Sequence, residues 1–153
     1  MTSEKSQNGW PASKNPEEIG IKAFPIAGTS IRIRCQKEAG RILAAFAAEF
    51  HASIEPIDAG SLDDWGYAYR NVRGSDHDLS NHSSGTAIDL NASKHPLGKS
   101  NTFSNEKQAA IRVLCRKYGL RWGGDYKSRK DDMHFEITST PAEVKALADK
   151  LGL

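Results

Sequence analysis

A chain of 153 residues with 38% hydrophobic and 26% charged side chains has the makeup of one soluble globular domain, able to bury roughly two thirds of its unfolded surface without disulfides. Its formal net charge of +2 is too small to mark a nucleic-acid binder, and no run of about 18 apolar residues is available to span a membrane. Cys35 and Cys115 stand far apart in no CxxC pattern and read as two buried free thiols of a reducing compartment.

The opening MTSEKSQNGWPASKN is polar and lacks the charged start and apolar core of a signal peptide. If the protein acts outside the cell, another factor is expected to release it. Residues 1–30 are rich in Ser, Asn, Gly and Pro. They predict a flexible start and then an irregular segment pinned by Trp10, Ile19, Ile21, Phe24 and Ile26, which could also serve as a flap over a cleft. Ile31 to Arg34 alternates apolar and basic residues as a short strand does. A helix follows from about Gln36 to His51, with Ile42, Leu43, Phe46, Ala47 and Phe50 on one buried face.

SIEPID, Ser53 to Asp58, alternates like an edge strand, and AGSLDD after it reads as a turn. Trp65 to Arg73, WGYAYRNVR, has the aromatic content of a strand, with Tyr67, Tyr69 and Asn71 on one face. A loop, Gly74 to Asn81, then delivers His82 to a central strand, Ala87 to Asn91, whose Ala87 and Asp89 share a face. An acid in so apolar a strand needs a partner.

Ser93 to Phe103 is a predicted loop. Ser104 or Asn105 caps a helix that buries Ile111, Leu114 and Cys115, runs to about Tyr118 and ends at Gly119. Leu120 to Trp122 reads as a strand, GGDY as a turn, SRKDD as an exposed loop and Met133 to Ile137 as a closing strand. TPAE, from Thr140, is a capping box with proline at the first helical position, and the last helix buries Val144, Leu147, Ala148 and Leu151.

His82, Asp89 and His134 form a set of two imidazoles and one carboxylate. Such a set suits a zinc site with an open fourth position, the mark of a catalytic rather than a structural site. Residue types and spacing alone leave a metal site and hydrogen-bonded structural histidines both open. His51, His77 and His95 lack comparable company and read as surface residues, with His77 and His95 close enough in sequence to line a rim.

SNHSSGTAIDLN, followed by HPLG, and RWGGDY, followed by DDMHFE, resemble the SxHxxGxAxD and (D/E)xxH signatures of the M15 zinc peptidases. This family includes D-alanyl-D-alanine carboxypeptidases and phage L-alanyl-D-glutamate endolysins, on a hedgehog-like fold. The resemblance covers about Asp63 to Ile137. It implies an α+β domain whose antiparallel sheet carries one zinc ion per chain on one face and packs its helices mainly against the other.

The resemblance also implies roles. His82, Asp89 and His134 fall on the zinc ligands, and Asp131 falls on the catalytic base, with Asp132 as the fallback. Glu136, on the His134 face of its strand, is placed to orient that ligand. Arg70 matches the arginine that holds substrate or opposes charge on the oxyanion, and Arg73 is the other candidate for substrate binding. Tyr67, Trp122 and Tyr126 are candidates to shape the cleft.

The implied substrate is the stem peptide of peptidoglycan, cut by a monomeric phage endolysin that a separate lysis protein releases to the wall, with a D-alanyl-D-alanine carboxypeptidase as the alternative. A zinc-containing wall-binding module without catalysis is the reading of another class, and the acid at Asp131 argues against it.

Overall fold

Ile42, Leu43, Phe46, Ala47 and Phe50 recur at the spacing that places them on one stripe of a helix. In the computed structural model, which describes residues 2–58 and 62–153, they are buried on α1, Ala39–Ser53. The helix starts three residues later than its apolar pattern suggests because Gln36 Oε1 accepts from the N–H groups of Glu38 and Ala39, at 2.7 and 3.0 Å, and so caps the first turn. Phe46 and Phe50 carry the centre of the core.

Before α1 comes an antiparallel hairpin of β1, Ile21–Pro25, and β2, Arg32–Gln36, with Ile21 opposite Gln36 and Pro25 opposite Arg32. β1 is a correction to the expectation of an irregular segment over residues 1–30. Its burial does not alternate cleanly, so no period-two signal marks it. The expected flexible start is also pinned: Trp10 is buried and its Nε1 donates to Ser139 O at 2.8 Å, while Asn8 Nδ2 donates to Thr86 Oγ1 and Ile137 O.

The second sheet has the order β3-β5-β4, all antiparallel, from β3, Ala87–Asp89, β4, Leu120–Trp122, and β5, His134–Ile137. β5 is therefore the central strand, not the closing one, and β3 gains only an isolated bridge from Trp65 on its outer side. Register divides the faces. Ile88 and Trp122 both lie opposite Phe135, and Leu120 lies opposite Ile137. The Phe135 ring stands 4.7 Å from Phe46 and 5.7 Å from Phe50, so this face meets α1. The other face carries Asp89, His134 and Glu136.

α2, Asn105–Tyr118, is capped by Ser104, whose hydroxyl accepts from Lys107 N–H, and ends at Gly119 in the left-handed region. α3, Pro141–Lys150, has the complete capping box of Thr140 and Glu143 and buries Val144 and Ala148, with Leu147 and Leu151 half-buried against the core. Both helices match their sequence signals. Cys35 and Cys115 are free and buried.

Two predicted strands are not strands. Ser53 ends α1, and the chain then turns, with His51 Nδ1 accepting from Ile57 N–H at 3.1 Å. Ala59 to Ser61 of the expected AGSLDD turn lie outside the described residues. The run Trp65–Arg73 makes only isolated bridges, because its amides serve three different elements: Trp65 N–H bonds Asp89 O, Tyr67 N–H bonds Arg34 O and Ala68 N–H bonds His82 O. A Cβ at Gly66 would sit 2.1 Å from Arg34 O, so glycine is needed for this approach.

The turn that presents His82 is a single 3-10 turn, Asn81–Ser84, entered through Ser80 and closed by Gly85 at φ 70°. A Cβ on Gly85 would meet Ile21 Cδ1 at 2.4 Å and Gln36 N at 2.6 Å. Left-handed strain and overpacking combine in Gly85→Ala, which should lower the unfolding free energy by about 2–4 kcal/mol. Urea denaturation measures it, and a loss below about 0.5 kcal/mol, typical of an unconstrained surface site, would refute the constraint.

Candidate metal centre

Asp89 and His134 are direct partners in the β3–β5 register. Directly opposed residues in an antiparallel pair point to the same side with close Cβ atoms, so pairing alone brings this carboxylate to this imidazole. His82 reaches the same point from the Asn81–Ser84 turn. One ligand atom from each of His82, Asp89 and His134 lies within 4.8 Å of the others, and all three residues are buried.

The hydrogen bonds decide which atoms are free. His82 Nδ1 lies 2.8 Å from Gly66 O, and a carbonyl only accepts, so Nδ1 carries the hydrogen and Nε2 keeps a lone pair. That Nε2 is buried without a hydrogen-bond partner and stands 3.3 Å from Asp89 Oδ2. With the ring neutral, a lone pair and a carboxylate face each other at this distance, an arrangement that a cation between them would stabilise.

His134 poses the same problem: Nε2 lies 2.6 Å from Glu136 Oε1 and Nδ1 lies 3.1 Å from Asp89 Oδ1. A neutral ring can donate to only one of these two carboxylates. With Nε2–H given to Glu136, Nδ1 is a second lone pair aimed at Asp89. The residues present therefore fit a divalent cation held by His82 Nε2, Asp89 and His134 Nδ1, with Glu136 fixing the His134 ring from behind.

The electrostatics favour a proton or a metal cation at the same atoms. Burial opposes ionisation of Asp89, yet the two imidazoles outweigh it and hold the carboxyl far below the usual range. Burial alone would lower His134, but the Asp89 and Glu136 carboxylates overcome it and push the imidazole well up. The pocket thus favours positive charge at the point where the three ligand atoms meet.

A cleft of about 360 Å³ opens on this face. Asp131 lines it from the loop before β5, and its Oδ1 is buried without a hydrogen-bond partner. Burial raises the Asp131 carboxyl above its ordinary value, and Asp89 adds to this against the pull of the two imidazoles and Arg70. Asp132 points elsewhere: it is 3% exposed and accepts from Thr102, so the exposed loop expected over SRKDD ends in a buried acid, and the fallback base does not line the cleft.

Arg70 and Arg73 both line the cleft. The Arg70 backbone is tied to the ligand turn, its N–H donating to Ser83 Oγ and its carbonyl accepting from Ser80 N–H, each at 3.0 Å. Tyr67 does not line the cleft; its hydroxyl donates to Ser13 O. Trp122 does not either, since its position opposite Phe135 sends it into the core, where Nε1 donates to Asp132 O at 2.8 Å. Tyr126 does, with its hydroxyl donating to Glu136 Oε1 at 2.9 Å.

His95, expected at the surface, is 2% exposed and bonded between Thr102 Oγ1 and Glu55 Oε2, whereas His77 is exposed as expected. Sequence reasoning missed Trp65, Gln7 and Arg129 on the cleft wall. Trp65 sits opposite Asp89, a tertiary pairing that no sequence signal marks, so it faces the cleft and remains 54% exposed.

The family model described as D-alanyl-D-alanine carboxypeptidase matches residues 73–137. The matched stretch is less than half of the chain; it holds His82, Asp89, Asp131 and His134 and begins after Arg70. No curated protein and no solved structure matches the chain.

His82→Ala and Asp89→Ala should each abolish tight zinc uptake, and Glu136→Gln should weaken it roughly 10- to 100-fold. Competition with a chromophoric chelator reads all three, and parental affinity in Asp89→Ala would remove Asp89 from the ligand set.

Proposed function

We propose that this chain, an M15 family peptidase by its match over residues 73–137, is a zinc metallopeptidase that hydrolyses peptidoglycan stem peptides. The observation that carries the reading is the buried pair of imidazoles converging on Asp89, with the Asp131 carboxylate on the same cleft and its Oδ1 without a partner among the described residues. On this reading the β3-β5-β4 sheet is that of the hedgehog-like fold, with metal on the cleft face and α1 on the other.

His82, Asp89 and His134 would hold a zinc ion, which would supply Lewis acidity to a scissile carbonyl and to a water. The chain supplies the rest. Among the described residues Asp131 Oδ1 has no hydrogen-bond partner, and burial raises the pKa of the carboxyl, both suited to taking the proton of the attacking water and passing it to the leaving amine. Glu136, held by Tyr126, keeps the His134 ring in one tautomer.

Arg70, Arg73 and Arg129 line the cleft, and among the described residues none forms an ion pair with a carboxylate, in contrast to Arg41 and Arg112. Unpaired guanidinium groups beside a hydrolytic centre suit a substrate that carries carboxylates. A stem peptide does so at the right place. Whether the bond cut precedes a terminal D-Ala or the γ-linked D-Glu, the leaving residue bears a free carboxylate on the carbon next to its amine. Arg70, which feels the charges of Asp89 and Asp131, fits that group and the charge developing on the oxyanion.

The same chemistry explains why one set of residues serves both bonds. We favour the L-alanyl-D-glutamate bond of an endolysin, whose substrate continues beyond the cut, because two further arginines, Arg73 and Arg129, line the cleft with Arg70. The family description favours the carboxypeptidase as the second reading. No helix among the described residues is long and apolar enough to cross a membrane, and a separate lysis protein would bring a monomeric enzyme to the wall.

Mass spectrometry of defined muropeptides incubated with zinc-loaded protein and a chelated control tests the proposal. Cleavage after the first L-Ala is expected; loss of a terminal D-Ala would make it a carboxypeptidase, and no zinc-dependent product would leave a binding module. Asp131→Asn should keep zinc and lose turnover by about 10²- to 10⁴-fold, and retained turnover would unseat Asp131 as the base.

A further inference from the structure

The Asp131 side chain makes no hydrogen bond among the described residues, yet a proton-transfer group must be held in place to act. Its position is set through its backbone. Asp131 N–H donates to Gly123 O at 3.0 Å, and Asp131 O accepts from His134 N–H at 3.0 Å. Gly123 packs so closely that a Cβ there would lie 2.2 Å from Asp131 O and 2.9 Å from Asp131 Cβ.

The following residue is anchored far more heavily. Asp132 is 3% exposed, and its Oδ2 accepts from Thr102 Oγ1 at 2.6 Å and Thr102 N–H at 3.1 Å, while its carbonyl accepts from Trp122 Nε1 at 2.8 Å. Thr102 is braced in turn. Its hydroxyl spends its one hydrogen on Asp132 and offers lone pairs to His95 Nδ1 at 2.7 Å. His95 Nε2 lies 2.8 Å from Glu55 Oε2, which also accepts from Asn91 Nδ2 at 2.6 Å, and the His95 ring stacks on Phe103 at 3.8 Å.

We infer that Thr102, braced by His95 and Glu55 and acting through Asp132, is the positioning residue for the Asp131 carboxylate. The inference rests on Asp131 being the base. The peptide unit joining Asp131 to Asp132 is planar and stiff, so clamping the side chain and carbonyl of Asp132 restricts the torsions that aim Asp131. The clamp comes from the loop before α2, and neither Thr102 nor Asp132 lines the cleft. Thr102 therefore touches neither substrate nor metal ligands, and it acts only by holding the base.

Full-length Thr102→Val, which keeps the shape and loses the hydroxyl, and Thr102→Ser, which keeps the hydroxyl, are compared with the parent. Thr102→Val should lower kcat on the cleaved muropeptide by roughly 10- to 100-fold, with KM and zinc affinity within about twofold of the parent. Amide hydrogen exchange over residues 131–133, read without substrate, should quicken at least about tenfold as the anchor opens. Thr102→Ser should restore both.

Unchanged exchange in Thr102→Val, or quickened exchange with parental kcat, overturns the inference. Should valine at 102 prevent folding, Asp132→Asn, which retains one carbonyl acceptor, should show the same two changes at smaller size, and neither change appearing overturns it equally. A parent that cleaves no stem peptide removes the peptidase reading, and the exchange data still judge the anchor.

Discussion

A carboxylate is buried in an apolar strand, and two imidazoles face it. Asp89 has 8% exposure and His82 only 2%, and around them every residue from Asn81 to Ala92 is buried. Burying that much polarity is costly unless each group is matched, and the molecule is arranged to match it. β3 pairs with β5 so that Asp89 opposes His134; Trp65 bridges Asp89 from the other side; Gly66 offers the carbonyl that orients His82. Shifting the β3–β5 register by one residue would turn Asp89 towards α1 and break all of it.

The parts of this arrangement that depend on local chemistry were legible in the sequence. Apolar spacing located α1, α2 and α3, and Ser104, Gly119 and Thr140 marked their ends. Alternation put His134 and Glu136 on one face, and the motifs singled out the His82, Asp89 and His134 set that the fold gathers. The parts that depend on distant partners were not legible. β1 exists because β2 is there to pair with, and the aromatic run from Trp65 fails as a strand because its amides are claimed by Arg34, His82 and Asp89. Trp122 and Tyr67 look alike as cleft aromatics in sequence, but pairing opposite Phe135 sends one into the core, and Ser13 holds the other away. His95 and Asp132 are polar residues in polar loops, and only tertiary packing reveals that each is buried around Thr102.

The family match begins at residue 73, but the site does not. Asn8 N–H donates to Asn81 Oδ1 at 2.9 Å, and Asn81 lines the same cleft as Glu136, which holds His134. Gln7 forms part of the cleft wall, and Arg70 approaches through bonds to Ser80 and Ser83. The matched stretch contributes His82, Asp89, Asp131 and His134, and the segments before it hold them at their places.

That stitching governs when the centre can exist during synthesis. Asp89 and His134 are 45 residues apart, and Trp10 reaches Ser139 across 129. Contacts of such long range form late, because loop closure must precede any reward. A chain emerging from the ribosome therefore has helix α1 long before it has a place for a metal ion. Until β5 inserts between β3 and β4, His82 and Asp89 have no His134 to meet, so the buried cluster is the last part of the molecule to be assembled.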